Sequence, residues 1–256
     1  MKSSRPPPTS PLSSVSAFFA TAAATPAWRV AYAANVVFTV PFLIYAALHG
    51  LPATTHVVAL PGQADVAAAH RFLFSGHSAA ALVYAPAALI QFHGGLRKSH
   101  RRLHRASGYA FAAAAALLGA GGGTGLAANT YTRFPGGVLS AIGAALSLIF
   151  LVAGIGAARE RRLADHRDWI IRHYGVTWGL VAGSRVLPVV MFPVALSRGV
   201  PEWEAMLGAW ILSMLGGMVA AEVIIATTPR SGGAKDQLGG AACSDGNGIA
   251  VTAKTK

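Results

Sequence analysis

Six apolar runs alternate with short polar segments along the chain, at approximately residues 30–49, 71–92, 106–128, 137–157, 169–196 and 204–228. A bilayer's hydrocarbon core is about 30 Å thick, and a helix needs about 20 mostly apolar residues to cross it. Each run is of that order. The pattern therefore predicts an all-α fold, an integral membrane bundle of six transmembrane helices. Pro188 and Pro193 stand near the end of the fifth run and predict a kink there. Gly119, Gly121, Gly122, Gly123 and Gly125 crowd the third run, where small residues in lipid let helices approach closely. No strand precedes them and no Lys-Ser/Thr pair follows, so they do not read as a phosphate loop.

The flanks differ in kind. Residues 1–28 are rich in Ser, Pro, Ala and Thr, with Lys2 and Arg5 and no acid, and read as a flexible tail or a targeting segment. Residues 29–229 form the transmembrane domain of this reading, and 230–256 a polar, glycine-rich, disordered tail.

Composition agrees. Hydrophobic residues make up 54% of the chain and charged residues only 12%, against about 25% charged in soluble domains. So few charges cannot cover a water-facing surface, whereas lipid favours an apolar exterior. The net charge of +12 falls between the apolar runs, as membrane topology places it, and this argues against a nucleic-acid partner. The single cysteine, Cys243, excludes an intrachain disulfide framework.

Lys and Arg also set the orientation. Arg97, Lys98, Arg101, Arg102 and Arg105 lie between runs two and three, and Arg159, Arg161, Arg162 and Arg167 between runs four and five. The opposite side holds only Arg71, Arg133 and Arg198. With six spans, both basic loops, read as long loops, and both basic termini face the cytoplasmic side. Such loops suit anionic lipid headgroups, at about 1 kcal/mol per basic residue.

Ionisable groups inside apolar runs are costly in lipid and normally turn toward the bundle interior. His70, His77, Tyr84 and Gln91 recur every seven residues and line one face of the second run. In the fifth run His166 and His173 share one face, and Tyr174, Trp178 and Arg185 another. Arg172 in the fifth run and Glu222 in the sixth fall at similar depth and are expected to pair. Tyr84, Gln91, Arg172, Arg185 and Glu222 thus form an expected buried polar network. His93, His104, His166 and His173 sit toward the cytoplasmic side, and His49 and His77 toward the other.

Several strings carry a family resemblance: Gly76-His77, Pro86, Gln91-Phe92, Leu96-Arg97, then Leu103-His104-Arg105-x-x-Gly108-Tyr109, then His166-x-x-Trp169-Ile170-Ile171-Arg172-x-Tyr174, with Arg185 and Ala221-Glu222. In order and spacing the chain resembles a family of polytopic membrane proteins catalogued as domain of unknown function 2306, over roughly residues 30–228. This chain has Ile170 where the family usually shows Met, and His173 where it commonly has a small polar residue. The resemblance implies the architecture and leaves the activity open.

Three functional readings remain. Histidines on different helices suggest a b-type haem protein for electron transfer, with His77, His104, His166 and His173 as candidate ligands for haem or another cofactor. Intramembrane Arg, Glu and His equally suit a small-molecule or proton-coupled transporter. A non-catalytic membrane subunit, binding another membrane protein or a second copy of itself, needs no ligand. An enzyme is disfavoured: no Ser-His-Asp set can be placed, and His100-Arg-Arg-Leu-His104 lacks the Glu of a zinc-protease motif. No metal beyond a haem iron is expected.

Overall fold

The computed structural model describes residues 26–45, 71–119, 133–180 and 184–228. Expectations for most of both tails, Gly121 to Gly125, His49, His70 and Cys243 lie outside the described residues. Among the described residues every regular element is helical: α1 (Pro26–Tyr45), α2 (Arg71–Phe92), α3 (Gly94–Ser99), α4 (Arg101–Ala116), α5 (Arg133–Arg159), α6 (Leu163–Trp178), α7 (Ser184–Ser197) and α8 (Glu202–Thr227).

Three boundaries differ from the sequence reading. α1 starts at Pro26, inside the segment assigned to the tail; proline at a first helical position sacrifices no hydrogen bond. The two basic loops are not long loops. Residues 94–99 form α3, capped by His93, whose Nδ1 accepts the Leu96 N–H at 3.1 Å. Between α5 and α6 the chain reverses within three residues, 160–162, because Arg161 takes a left-handed φ of 62°. Finally, within the fifth apolar run α6 ends at Trp178, residues 179–180 continue it in wider π-helical geometry, residues 181–183 lie outside the described residues, and α7 begins at Ser184. Pro188 and Pro193 both lie within α7.

Two helices among the described residues are long and apolar enough to cross a membrane by length and composition. They are Pro135–Arg159, with a mean hydropathy of 2.5, and Glu202–Thr227, with 1.9. α6 is less apolar because Asp165, Arg167, Asp168 and Arg172 fall within its 16 residues. Outward-facing positions on several helices are nevertheless apolar, among them Val37, Val83, Ile149, Val152, Val189 and Val219.

α5 packs most extensively on α6, α2 on α4, and α8 on both α6 and α7. The core between these pairs combines Tyr84, Phe111 and Leu151 with the alanines Ala81, Ala88 and Ala114. Small residues also set the α6–α8 contact. A Cβ added at Gly175 would stand 2.5 Å from the Gly217 carbonyl oxygen and 2.8 Å from the Ala221 Cβ. One added at Gly217 would overlap the Gly175 carbonyl, and one at Gly179 the Ser213 carbonyl. Gly175 and Gly179 are four apart and so stack on one side of α6; Ser213, Gly217 and Ala221 do the same on α8. The two backbones therefore touch with no side chain between them, the arrangement that joins helices in lipid.

This contact makes adjacent glycines on α8 unequal. Nothing lies within 4 Å of a Cβ at Gly216. Gly217→Leu is expected to lower stability by about 1–3 kcal/mol through overpacking, whereas Gly216→Leu leaves it near that of the parent. Thermal unfolding of the detergent-solubilised chain, followed by tryptophan fluorescence, measures the difference; equal midpoints for both variants would refute the contact.

Candidate functional site

Among the described residues the largest fully buried side chain is that of His173 on α6. Its Nδ1 lies 2.9 Å from both the hydroxyl and the carbonyl oxygen of Ser147 on α5. A carbonyl oxygen only accepts, so Nδ1 carries the proton and Nε2 is the acceptor. Nε2 then receives the Tyr84 hydroxyl from α2 at 3.2 Å. Thr177 donates to the His173 carbonyl at 3.0 Å, which leaves the Ser147 hydroxyl to donate to Thr177 at 2.9 Å. Each proton in the set has one assignment, and the chain of bonds ends on a backbone carbonyl that cannot pass a proton on. Phe111 of α4 stacks on Tyr84 at 4.7 Å and meets the His173 ring edge-on at 5.2 Å. Four helices, α2, α4, α5 and α6, converge on one imidazole.

A second set of bonds ties in α1. Asn35 is buried, and its Oδ1 accepts from the Tyr174 hydroxyl of α6 at 2.7 Å and from Thr39 at 2.9 Å. Tyr32 donates to the Leu89 carbonyl of α2 at 3.2 Å. Tyr174 also stacks on Trp178 with ring centroids 5.9 Å apart. His77, Tyr84, Leu118, Tyr174, Thr177 and Trp178 border a cavity of about 10 Å³, room for about one water molecule.

At the ends where α2 meets α4 and α5 meets α6, the polar groups sit nearer the surface. Gln91 Nε2 donates to the His104 carbonyl and to the Ser107 hydroxyl, both at 2.6 Å. Gly108 lies beside Gln91, and a Cβ there would be 3.5 Å from its amide. His166 Nδ1 donates to the Gly154 carbonyl at 2.8 Å, binding the start of α6 to the end of α5. Burial, reinforced by the charge of Arg97 and by the basic group of His166, holds the His104 imidazole below its ordinary pKa range.

Asp168 is buried and pairs with Arg167 at 2.7 Å. Arg172 holds Glu222 through two bonds, at 2.6 and 3.1 Å, while its guanidinium lies 4.9 Å from the centre of the Trp169 ring. This pair is not in the interior: the Glu222 side chain is 56% exposed and that of Arg172 27%. The reason is the glycine contact, which fills the α6–α8 interface with backbone and leaves long side chains to reach around its rim. Gln91 is likewise half-buried. Of the expected buried network only Tyr84 is fully enclosed; Arg185 falls in α7, and its side chain lies outside the described residues.

The four candidate ligand histidines do not share one space. Of these four only His77 borders the cavity. His173 has both ring nitrogens committed, and His166 Nδ1 is bonded to the Gly154 carbonyl. Bis-histidine haem ligation needs an uncommitted nitrogen on each of two facing rings, and a cavity of about 10 Å³ does not admit a porphyrin. Among the described residues His173 therefore offers no free nitrogen, and the cavity beside His77 holds no porphyrin as it stands.

Sequence reasoning missed Asn35, Ser147, Thr177 and Asp168. An Asn in an apolar run, with Tyr32 three residues before and Thr39 four after on the same helical side, was a readable signal. Ser147 offered none, since serine is a common small residue in membrane helices.

The profile of a family described as predicted membrane protein (DUF2306) matches residues 74–223. No curated protein and no solved structure matches the chain. The matched stretch includes His77, Tyr84, Gln91, His104, His166, Arg172, His173 and Glu222.

Tyr84→Phe removes the sole donor to His173 Nε2 among the described residues and strands a buried acceptor. The expected cost is about 1 kcal/mol, read as a lower unfolding temperature of the solubilised chain. An unchanged temperature would show that the bond contributes nothing.

Proposed function

As the chain belongs to the DUF2306 family of predicted membrane proteins, we propose that it is a six-span, non-catalytic membrane component whose arginine-rich end faces the cytoplasmic side and binds anionic lipid headgroups. The observation that carries this reading is the segregation of polar groups. Deep in the bundle His173, Tyr84, Ser147 and Thr177 are bonded to one another. At the opposite extreme Arg97, Lys98, Arg101, Arg102 and Arg105 stand exposed on α3 and α4, with no acidic partner among the described residues.

Further support comes from the direction of the helices. The end of α2 is bonded to the start of α4 through Gln91, and the start of α6 to the end of α5 through His166. Arg167 and Arg172 near the start of α6 reach Thr228 and Glu222 at the end of α8. These bonds support a reading in which the basic segments around 93–105 and 158–167 fall at one end of the bundle, as six spans with cytoplasmic basic turns require. Haem-based electron transfer has less support, because His173 has no nitrogen to spare. Proton relay through His173 has less as well, because its bonded chain ends on a carbonyl.

Lipid retention tests the proposal. In low salt, the purified protein is expected to carry phosphatidylglycerol in excess over phosphatidylcholine, measured by native mass spectrometry. Replacing Arg97, Lys98, Arg101, Arg102 and Arg105 by Gln is expected to remove the excess, at about 1 kcal/mol per residue. Equal retention of both lipids by the parent chain would overturn the reading.

A further inference from the structure

α4 has two distinct faces. Ser107, Phe111, Ala114 and Ala115 are buried, and Gly108 lies against Gln91 of α2. On the other side Arg102, Arg105, Tyr109, Ala113 and Ala116 are exposed. They follow one another at steps of three and four residues, so they form one strip along the helix. The strip is graded: arginines occupy its first turns, a tyrosine its middle and alanines its end.

Tyr109 is the unusual member, at 77% exposed. Among the described residues no hydrogen bond, ion pair or ring contact involves Tyr109 or Arg105. A phenol turned toward hydrocarbon without an acceptor is costly, and tyrosines of membrane helices stand at the headgroup level, where an oxygen can accept. α4 starts at Arg101. At 1.5 Å per residue Arg105 stands about 6 Å and Tyr109 about 12 Å further along the helix axis. Helical side chains lean toward the N-terminus of their helix. The Tyr109 phenol is therefore directed back over the turn that carries Arg105, whose Cβ is about 5–6 Å from its own.

We propose that Arg105 and Tyr109 form a discrete seat for the phosphate of one anionic lipid, with an acyl chain lying along Ala113 and Ala116. The seat rests on the broader reading that the basic end meets anionic headgroups, and it narrows that reading to one outward face of one helix. A phosphodiester offers two unesterified oxygens bearing one negative charge. The guanidinium meets both as a fork, and the phenol donates its one proton to either. Below the ring the alanines keep the helix surface low, so a chain can approach it closely. Charge selects the lipid. α1, α2, α3 and α4 contain no Asp or Glu, and Arg101 and Arg102 stand exposed one turn before Arg105. A zwitterionic headgroup would bring its ammonium into this cationic field, whereas phosphatidylglycerol brings no cation.

Native mass spectrometry of the detergent-purified full chain tests the seat, with phosphatidylglycerol and phosphatidylcholine supplied at equal concentration in low and in high salt. At about 0.5 M ammonium acetate the Debye length is about 4 Å, so diffuse attraction is largely screened while direct contacts persist. One phosphatidylglycerol per chain is expected to persist there. Its affinity falls about tenfold in Arg105→Gln and in Tyr109→Phe, as the loss of a hydrogen bond to a charged group implies. It is unchanged in Arg162→Gln, whose guanidinium is already held by Glu160 and Asp165. Tyr109→Phe keeps the ring and so reads the hydroxyl alone, and both side chains project from the bundle, so the variants fold as the parent does. High-salt binding that is indifferent to both substitutions, absent from the parent chain or shared equally by phosphatidylcholine would overturn the seat. Displacement by inorganic phosphate at a concentration equal to the lipid would assign the two groups to a soluble anion. A dimer that either substitution dissociates would assign the face to a second copy of the chain. Each of these also overturns the lipid assignment. In every such case a low-salt excess of phosphatidylglycerol leaves the broader reading standing; no excess at low salt removes both.

Discussion

The contact of α6 with α8, backbone on backbone through Gly175, Gly179, Ser213 and Gly217, is the constraint from which the rest of the arrangement follows. In lipid no hydrophobic effect drives helices together, so association relies on close packing and polar contacts. Removing side chains from the interface permits that packing. It also decides what happens around it. Long side chains near the interface have no room inside and must bond across its rim, which is where Arg172 and Glu222 meet. The turn at Arg161, with its left-handed φ, then returns the chain from α5 into α6.

A second constraint acts in the interior. Burying an imidazole and three hydroxyls is costly unless every donor and acceptor is satisfied. Here the demand is met within the protein, and the solution is directional: one tautomer of His173, one donor for each acceptor. Such a set specifies which faces of α2, α5 and α6 meet. It does so at the expense of chemical availability, since a side chain whose bonds are all made is poorly placed to bind a metal or hand on a proton. The contrast with His104 is instructive. Its carbonyl accepts from Gln91 and Ser107, while its buried Nδ1 has no hydrogen-bond partner among the described residues.

Much of the helical framework was legible because its signals are long. Runs of about twenty apolar residues stand out whatever their packing, and the limits of α2 coincide with the second run. The pairing of Arg172 with Glu222 was also readable, since two opposite charges at matching depth have few other partners in lipid. Its exposure was not. Burial depends on interhelical distance, and the spacing of Gly175, Gly179 and Gly217 was not weighed against it. The histidine stripe illustrates the opposite limit: residues seven apart share a helix face, but which partner a face meets is a tertiary fact. Tyr84 reached His173, Gln91 reached a backbone carbonyl, and His77 met a small cavity. Ser147 and Thr177 had no sequence signature because hydroxyls of that kind are common in membrane helices whether or not they bond across them.

The relative direction of α6 and α8 carries the basic end, the rim ion pair and the lipid-facing proposal together. It is measured most directly by thiol cross-linking in native membranes, with Arg172→Cys and Glu222→Cys introduced into a Cys243→Ser chain and a short bifunctional methanethiosulfonate reagent. The account predicts an internally linked species of altered gel mobility from this pair, and none from Arg172→Cys combined with Trp203→Cys at the far end of α8. Linkage of the second pair in place of the first would contradict it.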